Sequence, residues 1–218
     1  MKRTKKILVT LLCAVLLVTG TVAVTVAYLT SSTGVVTNTF TVGKVEITLD
    51  EADVTEYGVE TVNPRDVANT YKLIPGHEYI KDPTVHVVKG SEECWLFVKV
   101  TNGISEIEAA QDTMKADGTS YNTIAKQMEN NDWVVLDESE GVYYYKTTVN
   151  ALNASANIDK VVFGEFMVKG DAVLTDEDGN ALYSTNTPIT IDAYAVQADG
   201  FDTAKEAWDA APTEWTEN

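Results

Sequence analysis

Hydrophobic and polar residues alternate over several short stretches of the chain. Cys94, Leu96, Val98 and Val100 share one face of an extended segment, with Trp95, Phe97 and Lys99 on the other. Period two is the strand signature. "GVYYYKTTV" (141–149) reads as a strand with aromatics on both faces, and "KVVFGEFMV" (160–168) as another strand. "PITIDAYAVQA" (188–198) is the last long one. Near the start, Phe40 and Val42 alternate with threonine. The alternation then slips at Gly43-Lys44, and Val45, Ile47 and Leu49 continue in the other register. One extra residue containing glycine is how a β-bulge reads in sequence. Asp178-Gly179, between "AVLT" and "ALYS", is a hairpin turn signal. Many short strands broken by Gly, Asn and Asp predict a mostly β protein, an antiparallel jelly-roll-like β-sandwich.

Helical periodicity is found in two places. Tyr121, Ile124, Ala125 and Met128 lie at i, i+3, i+4 and i+7, with Thr119 or Ser120 as the expected N-cap. Ala204, Ala207, Trp208 and Ala211 repeat the spacing behind an Asp202 cap, and Pro212 stops the run. Each stretch carries one apolar stripe, so both helices should lie on the outside of the sandwich. Residues 51–70 are rich in Asp, Glu and Asn and read as a loop.

The N-terminus follows other rules. Lys2, Arg3, Lys5 and Lys6 precede an uncharged, mostly apolar run from Ile7 to Val26, and Thr25-Val26-Ala27 ends in small residues. This layout is that of a secretory signal peptide over 1–27, cut between Ala27 and Tyr28. A run of about 20 uncharged residues also suits a retained membrane anchor, although Thr19, Gly20, Thr21 and Thr25 weaken a continuous spanning helix. Residues 28–39 then form an N-terminal arm, and 40–218 a single β-sandwich domain.

Cleavage would change the charge balance. The full chain has 16 basic and 33 acidic residues. Removing 1–27 takes four basic and no acidic residues, leaving a net charge of −21 on 191 residues. Such acidity excludes nucleic acid and anionic membranes as partners, and no membrane association is expected after cleavage. Cys13 leaves with the apolar segment. Cys94 then stands alone, so stability must come from the core rather than from a disulfide.

Candidate chemistry is sparse. His77 and His86 are the two histidines. His77-Glu78 begins like a zinc-protease helix motif, but Lys81 stands where the second ligand should be, and Pro75-Gly76 predict a turn. His86 alternates with Val85 and Val87 and is expected on a strand surface. Asp176-Glu177-Asp178-Gly179-Asn180 brings its glycine too early for an EF-hand loop, so a turn is expected. Cys94 sits among apolar strand residues and reads as a buried, inert thiol. Tyr143, Tyr144 and Tyr145 with Trp133 offer a possible sugar platform. No catalytic residue, cofactor or metal is expected.

"GTVAVTVAYLTSSTGVVTNTFTVGKVEITLDE" (20–51) resembles the N-terminus of Gram-positive proteins exported through the SipW-type signal peptidase. Ala27, Tyr28, Asn38, Phe40 and Gly43 occupy the positions of that pattern. "LIPGHEYIKDPTVHV" (73–87), "VKVTN" (98–102), "ITIDAYAVQADGF" and "TAKEAWDA" are similar to further features of the TasA/camelysin-like family of biofilm matrix proteins. The resemblance implies a jelly roll, a cell-surface or matrix location, and assembly with itself or with related matrix proteins. In matrix-fibre relatives the mature N-terminus adds a strand to the next subunit. Carried over here, that makes Val35, Val36, Asn38 and Phe40 the assembly residues. Camelysin relatives imply a secreted metallopeptidase as the alternative, for which the isolated His77-Glu78 pair is a poor match. A surface carbohydrate-binding module is the remaining alternative.

Overall fold

The longest alternating stretch forms one of the two longest strands. In the computed structural model, which describes residues 43–183 and 187–212, Cys94–Asn102 forms β4. All nine of its residues pair antiparallel with Ile189–Gln197, which is β9. The remaining strands are β1 (Ile47–Asp50), β2 (Glu78–Ile80), β3 (Thr84–Val87), β5 (Trp133–Asp137), β6 (Val142–Tyr145), β7 (Ile158–Val161) and β8 (Glu165–Met167). The helices among the described residues are α1 (Ile124–Asn130) and α2 (Ala204–Asp209).

One sheet has the order β1-β3-β7 and another β5-β6-β4-β9, while β2 and β8 form a short ladder. All the pairings are antiparallel. Val85 and Val87 from β3 join Leu96 and Val98 from β4 in one buried cluster, with Tyr79, Phe166 and Trp133. Two sheets sharing one apolar layer make a β-sandwich. The expected mostly β, antiparallel architecture with two peripheral helices is therefore what forms. Strand order alone does not establish a jelly roll.

The second face of β4 is covered as well. Phe97 and Val142 form an outer cluster with Ala204, Ala207 and Trp208 of α2. The Trp208 ring lies 5.0 Å from Phe97 and 5.8 Å from Tyr194. The helix begins at a capping box. The Thr203 hydroxyl accepts from Glu206 N, and the Glu206 carboxylate accepts from Thr203 N. The cap is thus Thr203 and not Asp202, because its neighbour three residues on is the Glu that closes the box.

Three further expectations need correction. The first helix starts at Ile124 with Thr123 as its N-cap, not at Thr119 or Ser120. Tyr121 is buried before the helix begins, in a small cluster with Ala109 and Met167. Ala125 faces solvent, so the buried stripe is Ile124 and Met128. The segment 160–168 is two strands. β7 pairs with β3 and β8 with β2. The chain breaks at Val162-Phe163-Gly164, where Val162 and Phe163 are fully buried. Broken strands leave backbone groups that need partners. The Gln127 side chain supplies them, accepting from Gly164 N (2.9 Å) and Glu165 N (3.2 Å) and donating to Glu165 O (2.9 Å). Phe40 and Val42, the first half of the expected bulged strand, lie outside the described residues.

Residues 51–70 form a loop, as expected, but a closely tied one. Glu51 and Lys81 are 5% and 8% exposed and meet at 2.5 Å. Asn69 donates to Glu51 Oε1 and Ala52 O and accepts from Val54 N. Gly58 has φ +71°, and a Cβ there would stand 2.6 Å from Tyr79 Cα. Only glycine meets both demands.

Trp208→Ala should remove the lid over Phe97 and Tyr194 and lower stability by about 3 kcal/mol, the usual cost of deleting a largely buried aromatic. Urea unfolding followed by far-ultraviolet circular dichroism measures this. A loss below about 1 kcal/mol would mean that α2 is not an integral layer of the fold.

Candidate functional site

The residues expected to carry function in the sequence, Ala27 and Tyr28 at the cut and Val35, Val36, Asn38 and Phe40 in the arm, lie outside the described residues. What the structure does place is the body that the arm leads into. The chain enters through β1, an edge strand of its sheet. The other sheet ends in β5 and β9. On β5, Val134 and Val135 are 38% and 51% exposed, so apolar side chains stand on both faces of an edge. Leu136 makes a bulge in that strand before pairing resumes at Asp137.

The two histidines are not brought together around a common partner. His77 Nε2 lies 3.0 Å from Tyr57 O, and its ring stands edge-on to Tyr79. His86 lies on the outward face of β3, as alternation requires, yet its side chain is only 14% exposed. The reason is a clamp that the surface expectation missed. Nδ1 lies 2.6 Å from Asp159 of β7, and Nε2 lies 2.9 Å from Asp50 of β1. One imidazole thus spans all three strands. Burial alone would push its pKa down. The hydrogen bonds and charges of Asp159 and Asp50 outweigh this and raise it. Arg65 extends the network from the loop, pairing with both Asp50 and Asp82.

A second charged cluster straddles the short ladder. Lys115 Nζ lies 2.7 Å from Glu78 and 2.8 Å from Glu165. Burial, and Glu78 beside it, hold the Glu165 carboxyl above its ordinary range, while Lys115 pulls against them. Neither cluster could be seen in the sequence, because each depends on which strands are neighbours. Among the described residues, no group of three His, Cys, Asp or Glu side chains could hold a metal ion.

Cys94 is fully buried, and burial with Glu93 nearby pushes its thiol up to about 11. This is the inert thiol expected. Trp133 does not join a sugar platform. It is 2% exposed, and its indole N–H donates to Val161 O. Tyr143 and Tyr145 are half-buried against the main core, while Tyr144 joins the outer cluster. Asp176–Asn180 is a turn. Gly179 has φ +83°, and the Asp176 carboxylate accepts from Asp178 N and Asn180 N.

Two concave regions stand out. An apolar cavity of about 460 Å³ is lined by Tyr71, Leu73, Lys81, Ile104, Phe166 and Ile189, among others. Its cation is already paired with Glu51. A more polar cleft of about 1170 Å³ lies where the start of β4 meets the end of β9. No helix among the described residues is long and apolar enough to cross a membrane. No family model matches the chain, and no curated protein or solved structure is significantly similar to it.

The His86 clamp gives a pH dependence with a definite sign. Its folded pKa is raised above the unfolded value of about 6.5. Its contribution to stability is therefore fully present below that value and lost as pH rises through the folded pKa. Urea midpoints from about pH 5.5 to about pH 9 should fall more steeply for the native chain than for His86→Gln. Parallel curves would show that protonated His86 does not hold β1, β3 and β7 together.

Proposed function

We propose that this is a secreted structural protein of a Gram-positive cell surface or biofilm matrix. It acts as a fibre subunit, or as an accessory to one, related to the TasA/camelysin-like proteins that its N-terminus resembles. Export by a SipW-type signal peptidase ends in a cut between Ala27 and Tyr28. The freed arm, 28–39 with Phe40 beyond it, then adds a strand to a neighbouring copy or a related matrix protein.

The observation that carries this reading is the passage from an uncharged apolar segment, through a β-prone arm, into an edge strand, β1. Unpaired backbone groups at a sheet edge accept an added strand readily. The edge of β5, with Val134 and Val135 exposed, is one that no lysine or proline blunts. Before the cut the arm would be tethered at the membrane, so cleavage would time assembly. A strong net negative charge suits a protein that must stay soluble until then.

Protein starting at Tyr28 should form filaments, or grow with concentration, in light scattering and negative-stain microscopy. The same protein lacking 28–39 should fold and stay monomeric. Val135→Lys is an exposed change expected to cost less than about 0.5 kcal/mol of stability. It would weaken association only if β5 is the accepting edge. Equal polymerisation with and without the arm would refute strand donation. A stable monomer in every case would refute the fibre reading itself.

A further inference from the structure

Glu51 directly follows β1 and Lys81 directly follows β2, while Asn69 lies near the end of the loop between those strands. Glu51 and Lys81 are both buried. One carboxylate brings the three together. Glu51 Oε2 accepts from Lys81 Nζ at 2.5 Å, and Oε1 accepts from Asn69 Nδ2 at 2.9 Å. An amine and a carboxamide therefore stand on the two oxygens of a single shielded acid. The desolvation of a buried ion pair often cancels its attraction, so stability alone is a poor account of this one.

The backbone fixes which way the Asn69 amide points. Its Oδ1 accepts from Val54 N at 3.0 Å, and Nδ2 also donates to Ala52 O at 2.8 Å. A backbone N–H only donates and a backbone carbonyl only accepts, so the amide cannot be turned over. The Val54 N–H thus sits on the oxygen where negative charge would collect if Asn69 Cγ were attacked.

Lys81 has donors to spare. An ammonium carries three N–H groups, and among the described residues Glu51 is the hydrogen-bond acceptor that Nζ meets. Its other close neighbour is the Tyr71 ring, 5.9 Å away, which stands edge-on to Phe166. Asn69, Tyr71, Lys81 and Phe166 all line the apolar cavity of about 460 Å³. That space keeps the surroundings apolar and gives the lysine room to swing towards Asn69.

We propose that Lys81 and Asn69 become joined by an amide bond between Nζ and Cγ, with Glu51 as the catalytic proton carrier. Glu51 takes a proton from the ammonium, which frees the nitrogen lone pair. Nζ attacks Cγ, and the carbonyl electrons move to Oδ1, held by the Val54 N–H. Glu51 returns the proton to Nδ2, and the Cγ–Nδ2 bond breaks. Nζ gives up its second proton, again through Glu51, and the leaving nitrogen departs as ammonium. Glu51 ends as the carboxylate it began as, and no oxidant or co-reactant is consumed. The bond ties the loop after β1 to the end of β2. It closes a ring of chain that persists on unfolding, as a disulfide does. The cross-link is independent of strand donation and holds whether or not the protein forms fibres.

The test is mass spectrometry of the purified, folded full chain, intact and after trypsin. The native chain should be one ammonia lighter than its sequence requires. Trypsin should leave Lys81 uncut and release 66–72 joined to 73–89 as one branched peptide. Lys81→Arg keeps a cation beside Glu51 but supplies no attacking amine. It should have full mass and a lower urea midpoint than the native chain. Glu51→Gln should also have full mass. Separate, unmodified peptides 66–72 and 73–81 from the native chain would overturn the proposal, whatever the variants do. So would the same loss of ammonia in Lys81→Arg, which would place it elsewhere. A branched peptide formed as fully in Glu51→Gln would remove the role given to Glu51.

Discussion

Nine residues of β4 pair with all nine of β9, and apolar side chains stand on both faces of β4. A strand of this kind cannot lie at a surface. Cys94, Leu96 and Val98 need one apolar layer, and Phe97 needs another. The first need is met by the facing sheet through Val85 and Val87. The second is met by α2, a six-residue helix too short to be stable alone. Its folding rests on the contact of Trp208 with Phe97 and Tyr194 and on its capping box. The strand and its helical lid therefore depend on each other.

The parts of the fold that were legible in the sequence are those with local causes. Alternation located β4, β6 and β9, and the Asp178-Gly179 turn followed from the freedom of glycine at positive φ. The spacing of Ala204, Ala207 and Trp208 located α2. What failed had non-local causes. Nothing near Val162-Phe163-Gly164 says that one apolar run must serve two sheets. That break is made tolerable by Gln127, 37 residues away in sequence from Gly164. Tyr121 fits a helical stripe by spacing, but its hydroxyl donates to Glu108 at 2.8 Å, which holds it outside the helix. His86 was placed on the correct face and still misread, because its two carboxylates come from other strands.

The polar cleft and the proposed assembly draw on different physics. Strand addition uses backbone groups and is nearly indifferent to side-chain identity, so its readable signals are β-propensity and position along the chain. The cleft depends on the convergence of Glu92, Trp95, Asn150 and Asp199 from separate segments. No spacing rule predicts such a meeting, and none of these residues was conspicuous in the sequence. The clamp at His86 and the buried pair of Glu51 with Lys81 fix the loop and strands on the β1 side. They keep the entry to the sandwich in register.

Cys94 begins β4, is fully shielded, and exchanges two backbone hydrogen bonds with Val149. Its sulfur can meet a reagent only when that end of the strand parts from its neighbours. The chain thus carries an internal clock for opening of its central sheet. The rate at which a thiol-specific reagent consumes Cys94 measures how often the sandwich comes apart. If subunits grip one another through their edges, the clock should run slower in the assembled state than in the isolated one.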